Sequence, residues 1–329
     1  MRVVAETSGE SGLMGAIQNG AGGDGAVELD IALQCPLCRS DQGGLNCTLC
    51  GFRMHVAGGI VHTLLPERAA YYARFINDYE RIRSEEGRGS LNEEFYLGLP
   101  YKDASGRNTG QWAIRARTFG CLIEHVLKPL APGAKILDLG AGNGWMSYRL
   151  ALAGFRPVAA DLLTNGQDGL AAASHYHKHL DRQFPRFQAE MTRLPFQGEQ
   201  FDAVIFNASF HYSDDYEASL REVLRCLRIG GMVIISDTPW YSRTESGRQM
   251  IAERHAAFLQ RFGTASDSIP SLEFLTNERL HTLERQLSIR WTIHKPQYGL
   301  KWALRPLFAR LRRRREPSRF RIYTAIKNV

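Results

Sequence analysis

Apolar and polar positions follow two rhythms along this chain. Residues 66–86 carry apolar side chains at helical spacing and read as an amphipathic helix that breaks at Gly87 and Gly89. Residues 90–110 hold Pro100, Gly106 and Gly110 and read as a loop, and a helix over 111–128 stops at K-P-L-A-P-G. From there the rhythm changes. Short apolar runs at 135–139, 156–161, 186–190, 202–207 and 231–236 alternate with helical stretches near 143–154, 166–180 and 214–228. Past Asp237 come helices over 243–262 and 275–286, then two strands in "SIRWTIHK" and "RFRIYTAIKNV". Strand–helix alternation with short apolar strands predicts an α/β fold, a parallel sheet covered on both faces.

The remaining divisions follow from composition. Residues 1–28, rich in glycine and small polar residues, read as a flexible tail. Residues 29–65 hold a cysteine cluster and end in the strand-like "GGIVHTLLP", residues 66–110 form a helical connector or lid, and 111–329 is the α/β domain. Apolar residues make up 44% and charged residues 23% of the 329, ordinary for a soluble globular protein. No apolar run of about 18 residues predicts a membrane span, and no secretory signal is seen, which places the chain in the cytoplasm. The net charge of +7 is local: residues 301–321 hold nine Lys/Arg against Glu316, so that segment is +8 and everything else sums to −1. A surface that coats nucleic acid in general is therefore not expected.

The most informative stretch is "KILDLGAGNGWMSYRLALAGFRPVAADL". Gly140, Gly142 and Gly144 follow an apolar strand and open a helix, so the chain turns sharply and a ligand comes close to the backbone. A dinucleotide fingerprint would be G-x-G-x-x-G; here the spacing is G-x-G-x-G with Asp138 two residues before the first glycine. An acid in the loop disfavours a diphosphate and suits a ligand with an amino group and a sulfonium. Asp161 ends the next strand about twenty residues on, where a ribose diol is bound in related folds. Glu190 ends the third strand, placed to accept from an adenine amine.

These residues resemble a known family, the class I S-adenosylmethionine-dependent methyltransferases of the type-11-like group. Four ordered pieces carry the resemblance: "ILDLGAGNG", "VAADL", "AEMTRLPFQGEQFDAVIFNASFHY" and "LRIGGMVIISD". It implies a Rossmann-like doubly wound sheet of seven strands with an antiparallel last strand. It also implies roles: Asp138, Gly140, Gly142, Asn143 and Gly144 around the methionine end, Asp161 on the ribose hydroxyls, and Leu162 against the adenine. Glu190 and Met191 would flank the adenine edge, and Asn207 would line the floor. Glu190 departs from the family's common Asp and lengthens the arm. His211, in "NASFHY", is the candidate general base for an OH or NH nucleophile. Transfer from a sulfonium needs mostly alignment, so activity does not depend on that assignment.

Cys35-x2-Cys38 and Cys47-x2-Cys50 make two tight knuckles eight residues apart, which points to one closed tetrahedral zinc site of structural use. The segment resembles the ribbon of short zinc proteins that partner tRNA and protein methyltransferases, and the ribbon ahead of the catalytic domain in bacterial ribosomal RNA guanine-N1 methyltransferases. His55 lies near as a spare ligand. Cys121 and Cys226 sit in helix-like contexts as small hydrophobes. The row His175, His177 and His179 reads as a solvated helix face.

The expected activity is methyl transfer to a small-molecule or lipid-like acceptor. The basic segment 301–321 would offer a peripheral membrane contact, with Trp302, Leu307, Phe308 and Leu311 as an apolar stripe flanked by arginines. The rival enzyme reading is guanine-N1-type methylation of ribosomal RNA, weakened by the confinement of basic charge to one segment. A non-catalytic protein that binds the cofactor or a partner would have no need of Asp138 and Asp161.

Overall fold

The computed structural model describes residues 30–328 and the backbone of Ala16–Ile17, paired antiparallel with Val27–Glu28. The tail expected over 1–28 otherwise lies outside the described residues. Nine strands form the main sheet: β1 His55–Ala57, β2 Ile60–His62, β3 Lys135–Leu139, β4 Arg156–Asp161, β5 Arg186–Gln188, β6 Phe201–Asn207, β7 Leu227–Ser236, β8 Thr292–His294 and β9 Ile322–Ile326. Their order is β8-β9-β7-β6-β3-β4-β5-β2-β1. β3 to β7 are mutually parallel and β9 is antiparallel to both its neighbours, so the last strand runs as expected. The sheet is two strands wider than seven because the hairpin that follows the cysteines adds to its edge. Val61 and His62 pair in parallel with Phe187 and Gln188 of β5.

Consecutive apolar residues point to opposite faces, as a strand buried on both sides requires. Leu137, Val204 and Ile235 join one core with Phe187, Phe196 and Leu220. Their neighbours Ile136, Ile205 and Ile234 join the other with Trp145, Tyr176 and Leu122.

Three helices frame the ligand-facing edge. α1 spans Pro66–Glu85, with proline in the first turn where its missing N–H costs nothing. α2 (Glu93–Gly98) lies inside the stretch read as loop. Asn92 caps it by accepting from Glu94 N at 2.9 Å, and a helix of six residues is too short to show a period. α3 (Thr109–Cys121) continues as one wider turn over Leu122–Val126. α4 is Trp145–Leu152, α5 Tyr216–Cys226, α6 Thr244–Phe262 and α7 Asn277–Leu287. The helix expected over 166–180 shrinks to Leu170–His177. The Asn165 carboxamide accepts from the amides of Gln167 and Asp168, which holds 165–168 in a turn. Two short helices close the chain's basic segment, α8 Leu300–Ala303 and α9 Arg305–Leu311.

α1 lies across the carboxyl ends of the strands and is tied down along its length. Arg68 binds Glu190 after β5, with Nη2 2.6 Å from Oε2. Arg83 binds Asp168 after β4 at 2.5 Å. Tyr79 meets Tyr212 edge to face at 5.4 Å, and Asp78 accepts from Thr264 at 2.7 Å.

Candidate active site

The loop between β3 and α4 bends on three glycines with φ of +80°, +55° and +79° at 140, 142 and 144. A side chain at Gly140 would put its Cβ 2.2 Å from Ser209 Cβ, so only hydrogen fits. Gly144 is not in the lining of the chamber described below; it starts α4 from the left-handed region, close to Ala173 and Phe184.

Two acids hold this loop. Asp138 Oδ2 accepts from Ser147 N (3.1 Å) and Ser147 Oγ (2.8 Å), which ties β3 to the first turn of α4. Asp161 accepts from Gly142 N at 2.7 Å and Leu163 N at 2.8 Å, joining the end of β4 to the glycine turn. Among the described residues, neither carboxylate has a basic side chain as a hydrogen-bond partner. Burial pushes Asp138 up to about 7 against the pull of Ser147, and Asp161 up to about 6 against its backbone donors. Two carboxyls enclosed in one chamber, both reluctant to ionise, fit a ligand that brings positive charge and hydroxyl donors.

That chamber is lined by Asp138, Gly140, Gly142, Asn143, Asp161, Leu162, Met191 and Asn207 among others. Asn143 Oδ1 accepts from Trp145 N at 3.2 Å, and Asn207 Oδ1 accepts from Ser236 Oγ at 3.0 Å, so both amides are oriented before any ligand arrives. Glu190 departs from its expected place. It is buried outside the lining, its carboxylate taken by Arg68 and by the Tyr72 hydroxyl at 3.2 Å. It fastens α1, and Ala189, Met191 and Thr192 border the chamber instead.

A second chamber of about 450 Å³ adjoins the first. Phe75, Tyr79, Arg83, Arg115, Ala208 and Tyr212 line both. His211 belongs to the second chamber only. Burial, with Arg254 and Arg115 nearby, pushes it down to about 3, which makes it a feeble proton acceptor. Asp237, just past β7, also lines this chamber. Its Oδ1 accepts from Thr118 Oγ1 at 2.7 Å, its Oδ2 is buried without a donor, and burial raises its carboxyl above the usual range.

Trp302 turns inward to this second chamber rather than outward with the apolar stripe, packing on Phe320 at 5.7 Å. Leu307, Phe308 and Leu311 are exposed as expected, and Leu300 joins them. Arg315 is drawn back by Glu253 at 2.6 Å, whereas Arg312, Arg313 and Arg314 are exposed.

The residues of α1 and α3 in these walls escaped sequence reasoning. Arg83 and Arg115 sit on amphipathic helices, where a basic residue reads as solvated until the tertiary packing is known.

At the other edge of the sheet, the sulfurs of Cys35, Cys38, Cys47 and Cys50 all lie within 4.8 Å of one another. Cys35–Cys50 is 3.6 Å and Cys38–Cys47 is 3.5 Å. Zinc–sulfur bonds of about 2.3 Å place tetrahedral sulfurs about 3.8 Å apart, so the set fits that ion. Gln42 Nε2 and Cys50 N donate toward Cys47 Sγ at 3.2 and 3.4 Å. His55 is turned away, stacked on His62 at 4.7 Å. The ribbon is docked on the domain by Arg39–Glu222 at 2.6 Å and by Arg193 Nη1 donating to Pro36 O at 3.1 Å. In the histidine row, His175 stacks on Tyr96, His177 is buried against Phe184, and His179 meets Glu93.

Fold and site together define a Rossmann-like domain of the methyltransferase type. Residues 137–235 match the family model of a methyltransferase domain, and the chain carries such a domain. Two of the curated relatives match part of the chain. The demethylmenaquinone methyltransferase of Mycobacterium marinum is 35% identical over 108 residues, 33% of this chain and 43% of the relative. That of Corynebacterium urealyticum is 38% identical over 108 residues, with the same coverage. The match thus spans less than half the length of these relatives. Among solved structures, phosphoethanolamine N-methyltransferase 2 of Haemonchus contortus with S-adenosylmethionine aligns at 14% identity and a TM-score of 0.49. That alignment covers 73% of this chain and 61% of the other.

Proposed function

We propose that this protein transfers a methyl group from S-adenosylmethionine to a small apolar-bodied acceptor seated in the second chamber. The observation that carries the reading is the first chamber. A glycine turn that excludes any Cβ faces two enclosed carboxyls with no basic hydrogen-bond partner. S-adenosylmethionine, when bound, supplies an electrophilic methyl on a sulfonium. Asp138 reaches its ammonium end through the turn it braces, and Asp161 accepts from the ribose hydroxyls. Leu162 and Met191 give the adenine its apolar walls, and Asn207 stands at the floor. Burial biases the Asp237 carboxyl toward the neutral form and holds His211 well below its usual range, so transfer from the sulfonium rests on alignment rather than on a proton acceptor. α1 and the aromatic pair Tyr79–Tyr212 keep water from the shared wall.

The zinc is structural in this reading, held by the four cysteines at the sheet edge and far in topology from the glycine turn. The exposed Leu300, Leu307, Phe308 and Leu311, beside Arg310, Arg312, Arg313 and Arg314, suit contact with an anionic bilayer that holds a lipid-like acceptor. The two relatives are named as demethylmenaquinone methyltransferases. Among the described residues no helix is long and apolar enough to cross a membrane.

The test is incubation with methyl-labelled S-adenosylmethionine and separated lipid, polar-metabolite and RNA fractions. Label is expected in a lipid or metabolite product. Label confined to RNA would move the ribosomal RNA reading to first place.

A further inference from the structure

We propose that the second chamber is an anion-binding site, so that the acceptor carries an acid group, a carboxylate or a phosphate monoester, on a flat apolar body. The proposal rests on the reading that the first chamber takes the methyl donor, and it adds the chemical class of the acceptor.

Five guanidiniums line this one chamber: Arg83, Arg88, Arg115, Arg254 and Arg305. They come from α1, the turn after it, α3, α6 and α9, segments that only the fold brings together. Three are neutralised within the protein. Arg83 pairs with Asp168, Arg88 with Glu86 at 3.0 Å, and Arg254 with Glu273. The other two are not. Arg115 and Arg305 make no ion pair with a carboxylate among the described residues, and lie over the rings of Trp112 (4.8 Å) and Trp302 (3.8 Å).

Donors are also left over. Arg88 Nη1, Arg254 Nε and Arg305 Nη1 are buried and have no acceptor, and Arg88 as a whole is only 6% exposed. A buried N–H without a partner is costly, and more so when it is charged. Among the chamber's acids, Glu86 is occupied by Arg88, and Asp237 is a carboxyl that burial biases toward the neutral form. The chamber therefore holds an excess of positive charge with unused, directed donors. An oxyanion meets that need, because planar guanidiniums pair with carboxylate and phosphate oxygens two donors at a time.

The walls set the rest of the ligand. Tyr79, Tyr212, Trp302 and Phe320 present flat faces, and about 450 Å³ admits a ring system with one acid group. The basic segment thus divides its work: Arg305 turns into the chamber, while Arg312, Arg313 and Arg314 face outward.

The experiment uses the full chain with and without S-adenosylhomocysteine, and three probes of matched shape: 2-naphthoate, 2-naphthyl phosphate and the uncharged 2-naphthamide. Calorimetry on wild type is expected to show at least one acid binding tenfold or more tighter than the amide, and the tighter acid names the group. Arg305→Gln should weaken the acid tenfold or more and the amide less than twofold, with S-adenosylhomocysteine affinity held within twofold. Arg115→Lys should retain more acid binding than Arg115→Gln. Equal affinity for acid and amide, no binding of any probe, or equal losses for both in Arg305→Gln would overturn the proposal. Failure of wild type to bind S-adenosylhomocysteine would instead overturn the donor reading, and the acid–amide comparison would still stand.

Discussion

The two adjoining chambers are opposites in charge and in origin. The first is built mainly from residues between 138 and 219, joined by side chains of α1 and α3 and by Ile269. Its character comes from Asp138, Asp161 and the glycine turn between them. The second is assembled from segments as distant as Phe75, Arg115, Arg254 and Phe320, and its character comes from arginine and aromatic rings. Arg115 and the Tyr79–Tyr212 pair stand in the wall between them. A site that reads positive charge is thereby set against one that reads negative charge, with the transfer expected at the boundary. The difference teaches where each kind of specificity is stored: the donor is read by a local turn, the acceptor by the way distant helices fold back.

The sharpest way to break this contrast is Gly140→Ala. Holding alanine at φ +80° costs about 1–3 kcal/mol, and its Cβ would meet Ser209 at 2.2 Å. The turn must move, and S-adenosylhomocysteine binding by calorimetry is expected to fall below detection with the circular-dichroism spectrum retained. Binding kept within tenfold would remove the glycine turn from the donor site.

Asp161→Ala comes next. It removes a charged acceptor from both the turn and the ribose position, and should weaken the same ligand by about 1–3 kcal/mol. The acidic probes of the second chamber should be affected far less.

The charge contrast also predicts a pH effect. Asp138 and Asp161 have native values raised above that of an unfolded aspartate, to about 7 and about 6. Between the unfolded value and those values the native protein holds more protons, so these two groups make the free protein less stable as pH rises from about 4 to 7. A cationic donor needs them ionised. Its affinity should therefore drop as pH falls below about 7, where Asp138 takes up a proton, and more steeply below about 6, where Asp161 follows, by at most about tenfold per pH unit for each proton taken up. Affinity that stays flat from pH 8 to 5 would contradict the assignment.

Smaller effects should come from the outer surface. Arg312, Arg313 and Arg314 changed together to Gln should weaken binding to anionic liposomes by up to roughly 1 kcal/mol per residue, read by co-sedimentation, with donor affinity unchanged. Smallest of all at the donor chamber is Cys47→Ser with Cys50→Ser. Metal analysis should show zinc lost from about one ion per chain, while donor affinity moves less than threefold. A large loss of donor binding would mean that the ribbon's docking through Arg39 and Glu222 supports the catalytic edge as well as the rim.

The strands from Lys135 to Ser236 were legible because their central residues are buried on both faces and are mostly apolar. Their limits moved by only a few residues, most at β7, which begins at Leu227. The cysteine knuckles were legible because chain spacing alone sets how two thiols converge. Glu190 was misread because a carboxylate at the end of the third strand looks the same whether it faces a ligand or Arg68. His211 was drawn toward the chemistry by its position after β6, yet its neighbours Ala208 and Tyr212 reach both chambers while His211 lines the second only.

What this sequence determined by itself is the set of features that act within a few residues: the alternating strands, the acid–glycine turn from Asp138 to Gly144, and the paired cysteines. Those depend on backbone geometry and on side chains fixed by covalent neighbours. What only the tertiary structure decided is the rest of the site. The hairpin at His55–His62 extends the sheet because β5 offered an unpaired edge. α1 covers the strand ends because Arg68 and Arg83 find Glu190 and Asp168, more than eighty residues away. Five arginines meet in one chamber because helices far apart in the chain pack around it. Charge accumulated that way leaves no trace in local pattern, since each arginine taken alone is an ordinary polar position on a helix or turn.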